Sequence, residues 1–527
     1  MNPTRRAILT AFGISTVLFM GLLWPLNAYL HVAIFHLSGP VSAVIGPVLL
    51  EFGAIWVLIS LVLAWGSKHP SVNAYIWAVL LVIMAREVVE YWYWSRPNWP
   101  PVPTSVDVLF IVLLVVAIIA VWALKSRAPK LLGSFGKFAE VILAFVALSG
   151  AFTVVQILES GWKARDINDP RPLHEASAAA GVSPKHGRII WVVFDELSYQ
   201  QLYGHRFAGL EMPAFDKLAG ESTVFTNARP EGINTEEVLP SLMSGISVSA
   251  IRSPTAGAPL SLKNMATGKW QQFDPHDTVF QDALNAGYST AVAGWYVPYC
   301  RIIPSVLDHC FWNNRAPIIP FINLYSGHTF GWNTRLLALT SLHIRAAQLR
   351  LMRRPSLDDP QTSAHQEVYQ QLVENGDQML ADPSVNFLLL HMPIPHPKGI
   401  YDRKTASFSL RSNGYIDSLA LCDVHLSHLR ALLEKNGTWD QTTLVVMGDH
   451  SWRVPIFWRG SYLTAEEEIA SGGEKYDDRP AYIVKLPGQK TPARIDTPFK
   501  AIRTRALFDA LLQGNIATPQ QLSDWAK

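Results

Sequence analysis

Cysteine is scarce in this chain, with three in 527 residues. A small disulfide-held scaffold is excluded by that count and that length. Charge is scarce too: charged residues make up 16% of the sequence against 49% hydrophobic, and Lys+Arg (44) nearly balance Asp+Glu (42). A formal net charge of +2 leaves no electrostatic footprint for a nucleic acid. A composition this apolar excludes a disordered chain and a purely cytosolic enzyme. Internal repeats and low-complexity tracts are absent from the sequence. The few charges are unevenly spread: residues 1–160 hold 15 of them, and the remaining 367 residues hold 71. The chain therefore reads as a membrane region of residues 1–160, a linker of 161–187 and a globular domain of 188–527.

The membrane region contains five apolar runs, at residues 7–30, 41–65, 72–92, 106–124 and 138–158. Each is long enough to cross a hydrocarbon layer of about 30 Å. Arg5 and Arg6 precede the first run as they would in a signal peptide, but its length and the four runs that follow favour a retained span. If the runs alternate across a membrane, Arg5, Arg6, Lys68, Lys125, Arg127, Lys130 and Lys137 fall on one side, and mainly Arg96 on the other. The positive-inside rule makes the first side cytoplasmic, so five spans deliver the globular domain to the outside. Glu51, Arg86, Glu87 and Glu90 lie within or near spans and should face protein or water. An interhelical ion pair is favoured over contact with a lipid headgroup.

In the globular domain, residues 188–194 and 442–447 are apolar, β-branched runs of buried-strand type, and 289–293, 386–390 and 481–485 are weaker strand candidates. Helical patterns at 213–220, 278–286 and 414–435 alternate with them. This α/β order implies a mainly parallel sheet between helices. Chemistry in such sheets gathers at the C-terminal ends of strands. Both strong strands end on acidic residues, Asp195-Glu196 and Asp449-His450. Residues 311–385 are less regular, and 335–354 is a basic, Leu-rich helical stretch suited to a membrane surface or to an ordinary surface helix.

Hard carboxylate oxygens, imidazole and a nucleophile that a metal can activate are what metal-assisted phosphoryl chemistry needs. Asp195, Glu196, Asp449 and His450 offer the ligands. The segment 232–245 (GINTEEVLPSLMSG) offers hydroxyls ahead of a helix, Thr235 and Ser241. His396, between Pro395 and Pro397, offers an imidazole in a rigid loop. The order of these segments along the chain carries more weight than any of them alone.

That order resembles the alkaline phosphatase superfamily in its sulfatase-like branch. Residues 212–220 with 224–228 (MPAFDKLAG, VFTNA) are similar to that family's TPNLDRLA…FTNA segment. Residues 277–288 resemble its TLAELLKEAGY helix, and 414–423 with 444–450 resemble its Y…D helix leading to a V..SDHG strand end. The resemblance implies that Thr235 is the nucleophile, ten residues before Gly245 and five before Pro240, with Ser241 as the competing hydroxyl. The CxPSR segment of formylglycine sulfatases is absent, so sulfate-ester hydrolysis is not expected. Five spans ahead of an external domain are similar instead to membrane phosphoethanolamine and phosphoglycerol transferases of the bacterial inner (cytoplasmic) membrane, whose catalytic domain is periplasmic. The chain departs from those transferases in having Asp195-Glu196 where they carry a lone Glu, Asp449-His-Ser where the family has DHG, and too few cysteines for their several disulfides.

The resemblance implies one divalent metal ion, zinc with manganese as the alternative, held by Asp195, Glu196, Asp449, His450 and the Thr235 oxygen. A phospholipid would be the donor and an envelope glycan or glycolipid the acceptor, through a phosphothreonine intermediate. His396 would protonate the leaving diacylglycerol oxygen or hold a phosphate oxygen. Arg479 would neutralise the phosphate, a structural ion pair being its other reading. A membrane-anchored phosphodiesterase or phosphatase using the same residues is the alternative function, and a non-catalytic assembly protein a third. Cys300 and Cys310 flank a short loop and are expected to pair in an oxidising compartment, with Cys422 left as a buried thiol. His391 is read as a hydrogen-bonding residue at a strand end, with a second-metal ligand as its alternative role.

Overall fold

The computed structural model of the chain describes residues 3–21, 23–24, 26–27, 41–94, 104–124, 128–166, 171–174, 187–252, 260–313, 360–397, 399–453, 464–472 and 476–527. The basic stretch 335–354, Arg96, Lys125, Arg127 and most of the 161–187 linker lie outside them. The described chain divides into two compact units, the N-terminal helices up to residue 166 and the chain from residue 171 onward.

The first unit is helical: α1 (Pro3–Leu18), α2 (Val41–Gly66), α3 (Pro70–Trp94), α4 (Thr104–Ala123) and α5 (Ala128–Lys163). Four stretches are long and apolar enough to cross a membrane, Val48–Gly66, Pro70–Val89, Ser105–Ala123 and Gly136–Lys163. The protein is thus membrane-anchored. The five expected spans become four among the described residues. Helix α1 runs for 16 residues to Leu18, short of the about 20 that a span needs, and helical residues recur between Met20 and Asn27 with Leu22 and Pro25 outside the described chain. Residues 28–30 of that run lie outside the described chain. The outward faces are apolar: Val108, Leu109, Ile111, Val112 and Val115 of α4 are all exposed, as lipid-facing residues must be. Polar groups meet between helices instead. Arg86 of α3 binds Asp107 of α4 at 3.2 Å, so the interhelical ion pair is the reading that holds for Arg86.

The second unit is built on an eight-stranded sheet. Its strands are β1 (Ile189–Asp195), β2 (Thr223–Phe225), β3 (Thr290–Trp295), β4 (His309–Asn313), β5 (Phe387–Pro395), β6 (Thr443–Gly448), β7 (Tyr482–Lys485) and β8 (Ala493–Ile495), in the order β8-β2-β7-β6-β1-β5-β3-β4. Only β7 pairs antiparallel to its neighbours; every other pairing is parallel. The central strand β1 (IIWVVFD) is buried along its whole length, as a strand covered on both faces should be. One face packs Trp191, Val193, Leu389 and Val445 against α7 (Thr235–Ser244), α8 (Val279–Asn285) and α11 (Thr504–Leu512). The other packs Val192, Phe194, Leu390 and Val446 against α6 (Pro213–Gly220), α9 (Pro360–Ala381) and α10 (Tyr415–Lys435). Parallel pairing brings the C-terminal ends of β6, β1 and β5 side by side, with Phe194 opposite Gly448 and Val193 opposite His391.

Candidate metal centre and active site

Asp195 closes β1, and Glu196 follows it with φ at 71°, a conformation uncommon for an L residue and often found at functional sites. Asp449 and His450 follow β6. Gly448 is obligatory just before them, because a Cβ there would lie 2.4 Å from the Leu197 carbonyl oxygen. Thr235 opens α7, just after Asn234 in an extended conformation at the N-cap position. The helix ends at Gly245 with φ at 71°, a left-handed C-terminal residue. Thr235 thus stands at the positive end of the helix dipole, where negative charge is favoured.

These residues converge. The Thr235 hydroxyl lies 2.8 Å from Asp449 Oδ2, 3.2 Å from Asp195 Oδ2 and 3.4 Å from His450 Nε2. Thr235 is 3% exposed, and the Asp195, Glu196, Asp449 and His450 side chains are fully buried. Backbone N–H groups of Glu196 and His450 both donate to Asp449 Oδ1, at 3.0 and 2.8 Å. His450 Nδ1 faces the Ser451 carbonyl at 3.1 Å; donating there leaves Nε2 with its lone pair toward Thr235. Ser241 is excluded from this cluster. Its hydroxyl donates to the Glu237 carbonyl and accepts from the Val248 N–H.

Three further residues complete the centre. Arg453 pairs with Glu196 at 2.7 Å and also reaches the Ile233 carbonyl beside Thr235. His391, on β5, is buried, and its Nδ1 meets the Tyr299 hydroxyl at 2.9 Å. Tyr299 reaches it across Gly294, where any Cβ would lie 2.3 Å from the tyrosine ring. The neighbouring Cys300 is joined to Cys310 by a disulfide, and Cys422 is a buried free thiol. Arg453 carries no local sequence signal. His391 does have one, as the first polar residue after the apolar run 387–390.

Burial pushes the Asp195 carboxyl well above its ordinary value, with Asp449 adding to the effect. Burial also lifts Glu196 to about 7 against the opposing pull of Arg453. It lowers His450 and His391 to about 4, keeping both imidazoles neutral. Three buried carboxyl groups here face one guanidinium, a shortage of positive charge that the raised values of Asp195 and Glu196 reflect. Asp195 Oδ1, Glu196 Oε2 and His391 Nε2 have no hydrogen-bond partner among the described residues. Asp195, Glu196 and His450 form one group of ligand atoms within 4.8 Å of one another, and Asp195, His391 and Asp449 form a second. The charge deficit, the orphaned atoms and the mixed oxygen and nitrogen donors fit a divalent cation.

Two expected residues make no hydrogen bond to this cluster among the described residues. The His396 ring lies 5.2 Å from Trp295 and 6.4 Å from His365, and its Nδ1 is hydrogen-bonded to the Pro397 carbonyl. Burial, then Arg453 and His365, hold its pKa well below the ordinary value. Arg479, expected at the substrate phosphate, is tied instead to Asp477 at 2.9 Å and to the Thr226 carbonyl at 2.9 Å, and it covers the Tyr199 ring. It is the structural ion pair of its alternative reading.

The sulfatase family model matches residues 188–487, more than half of the chain. The chain belongs to the sulfatase family. This sulfatase-family protein is a sulfatase-like enzyme. Among solved structures it is similar to the phosphonate monoester hydrolase of Agrobacterium radiobacter, 13% identical with 62% of this chain and 74% of that chain covered and a TM-score of 0.38. It is also similar to murine ectonucleotide pyrophosphatase/phosphodiesterase 5, 9% identical with 65% of this chain and 100% of that chain covered and a TM-score of 0.35. The chain is also similar to methylglyoxal reductase DkgA of Yersinia pestis, 26% identical over an alignment of 171 positions that covers 27% of this chain. The chain spans 60% of the length of that curated relative.

Proposed function

We propose that this sulfatase-family protein transfers a phospho-headgroup, of phosphoethanolamine or phosphoglycerol type, from a phospholipid to a hydroxyl of an envelope glycan or glycolipid. The transfer runs through a phosphothreonine at Thr235. The observation that carries the reading is the buried Thr235 hydroxyl, at a helix N-terminus and within 3.4 Å of two carboxylates and an imidazole. The membrane helices bring the enzyme to its donor. The excess of Lys and Arg in one set of loops supports an inner-membrane protein with its catalytic unit outside.

Asp195, Glu196, Asp449 and His450, with the Thr235 oxygen, would hold one divalent cation, zinc or manganese. When bound, that ion supplies Lewis-acid polarisation of the threonine hydroxyl and the phosphate. The Thr235 proton passes to Asp449, 2.8 Å away, and Oγ1 attacks phosphorus. The bond from phosphorus to the diacylglycerol oxygen breaks, and His396 gives that oxygen a proton. The incoming phosphate favours the protonated ring that burial otherwise disfavours. An acceptor hydroxyl then attacks the same phosphorus and loses its proton to His396, and Oγ1 departs with the proton held by Asp449. Arg453, beside Thr235, offers the positive charge once assigned to Arg479.

The test is incubation of the full-length protein in detergent with phospholipid labelled in the headgroup phosphate. Label is expected on Thr235 of the wild type and not on Thr235→Ala, whose turnover should fall about 10³-fold or more. Wild-type labelling of Thr235→Ala rejects this nucleophile. Release of free phospho-headgroup with no acceptor product identifies the hydrolase instead.

A further inference from the structure

Beside the acidic cluster lies a cleft of about 460 Å³, within the range of small-molecule sites. Two of its wall segments leave the cluster. Ser198 and Gln201 follow Glu196, and Ser451 and Trp452 follow His450. Trp452 is fixed by stacking on Tyr415 at 4.5 Å, and the Tyr415 hydroxyl donates to the Glu196 carbonyl at 2.6 Å. Tyr476, on the opposite wall, lies within electrostatic reach of Glu196 and Arg453. Ser198 and Ser451 on the cleft wall thus follow Glu196 and His450 within two residues along the chain.

The lining has a definite chemistry. Gln201 Oε1, Ser451 Oγ, Trp452 Nε1 and the Tyr476 hydroxyl are buried atoms with no hydrogen-bond partner among the described residues. The Gln201, Ser451 and Trp452 side chains are themselves 4% exposed or less. Native proteins rarely leave such atoms unpaired, and here they are one donor, one acceptor and two hydroxyls that serve as either. The charged wall residues are already paired, Arg206 with Asp216 at 2.8 Å and Asp477 with Arg479 at 2.9 Å. Among the described wall residues the one guanidinium is thus already engaged, and an acyl chain would strand the polar atoms. Phe207 and Trp452 add flat apolar surface. Alternating hydroxyls on a partly apolar frame satisfy all of these groups.

We propose that this cleft is the acceptor subsite and that it takes a neutral polyhydroxylated group, a sugar or polyol, presenting one hydroxyl to the phosphorylated Thr235. The inference rests on the transfer reading above. Ala208 lines the cleft and is solvent-exposed, so Ala208→Trp fills the space without entering the core. Tyr476→Phe removes one donor.

The experiment charges the full-length enzyme with labelled headgroup, then follows loss of label on adding glycerol, maltotriose or gluconate. Glycerol and maltotriose are expected to speed discharge of the wild type, and gluconate is not. In both variants discharge into the neutral probes should fall about tenfold more than charging does, the scale of one lost hydrogen bond. Equal discharge by variants and wild type overturns the proposal, as does a preference for gluconate or no neutral probe outpacing buffer. If Thr235 of the wild type takes no label, the transfer reading fails by itself. The subsite is then read by saturation-transfer NMR: maltotriose signal with the wild type and not with Ala208→Trp supports it, and equal or absent signal overturns it.

Discussion

Glu196 is held in its left-handed backbone conformation by three separate partners. Its N–H donates to Asp449, its carbonyl accepts from Tyr415, and its carboxylate pairs with Arg453. The backbone alone costs about 1–2 kcal/mol for an L residue, so the conformation persists because these neighbours fix it. Arg453→Ala leaves a buried carboxylate unpaired and should destabilise the metal-stripped catalytic unit by on the order of 3–5 kcal/mol. Adding Glu196→Gln to that variant should recover part of the loss. Urea unfolding followed by near-UV circular dichroism reads both effects, and an unchanged midpoint for Arg453→Ala contradicts the pairing. Arg453 and Arg479 were indistinguishable in the sequence, since each lies shortly after an aspartate. Arg479 answers to Asp477, two positions before it, whereas Arg453 reaches Glu196 across 257 positions. Thr235, Asp195, Asp449 and His450 could be read because each sits where an apolar or helical pattern starts or stops. A contact between two loops leaves no such trace.

At the scale of elements, β1, β6 and α10 follow from local pattern. Their apolar runs are long, and burial on one or both faces dictates the residue types. The short strands β4 and β8 carry too few residues for any period, and their pairing is imposed by the neighbouring strands. The reversal of β7 is likewise a property of the sheet, since its sequence YIVK would suit either direction. Gly294, on β3, shows how an element tunes the site. Gly294→Ala would place a Cβ against the Tyr299 ring, with an overpacking cost of about 1–3 kcal/mol. It should also displace the tyrosine from His391. The expected result is a lower urea midpoint together with weaker metal retention under dialysis. Normal stability and normal metal content would show that the ring has another place to go.

For the whole molecule, the uneven distribution of charge already separated the helical unit from the catalytic one. It could not count the spans, because an apolar run does not record where its helix stops. The charge deficit of the active centre belongs to this scale, since it couples metal to the stability of the entire catalytic unit. Removal of divalent ions with EDTA should lower its thermal midpoint, and zinc or manganese should restore it. At a free metal concentration of 100 Kd the stabilisation is about 2.7 kcal/mol. Scanning calorimetry with metal analysis checks this, and an unchanged midpoint in a demonstrably metal-free sample argues against a bound cation.

The reactive groups are dealt out along the polymer, with Asp195, Thr235, His391 and His450 lying on four widely spaced segments. They become neighbours only when β1 seats between β5 and β6. A nascent chain halted before residue 443 would own the threonine but neither Asp449 nor His450. Such a fragment would be chemically idle, however much lipid surrounded it. Competence at this centre therefore waits until the last of these segments, near residue 450, has been made.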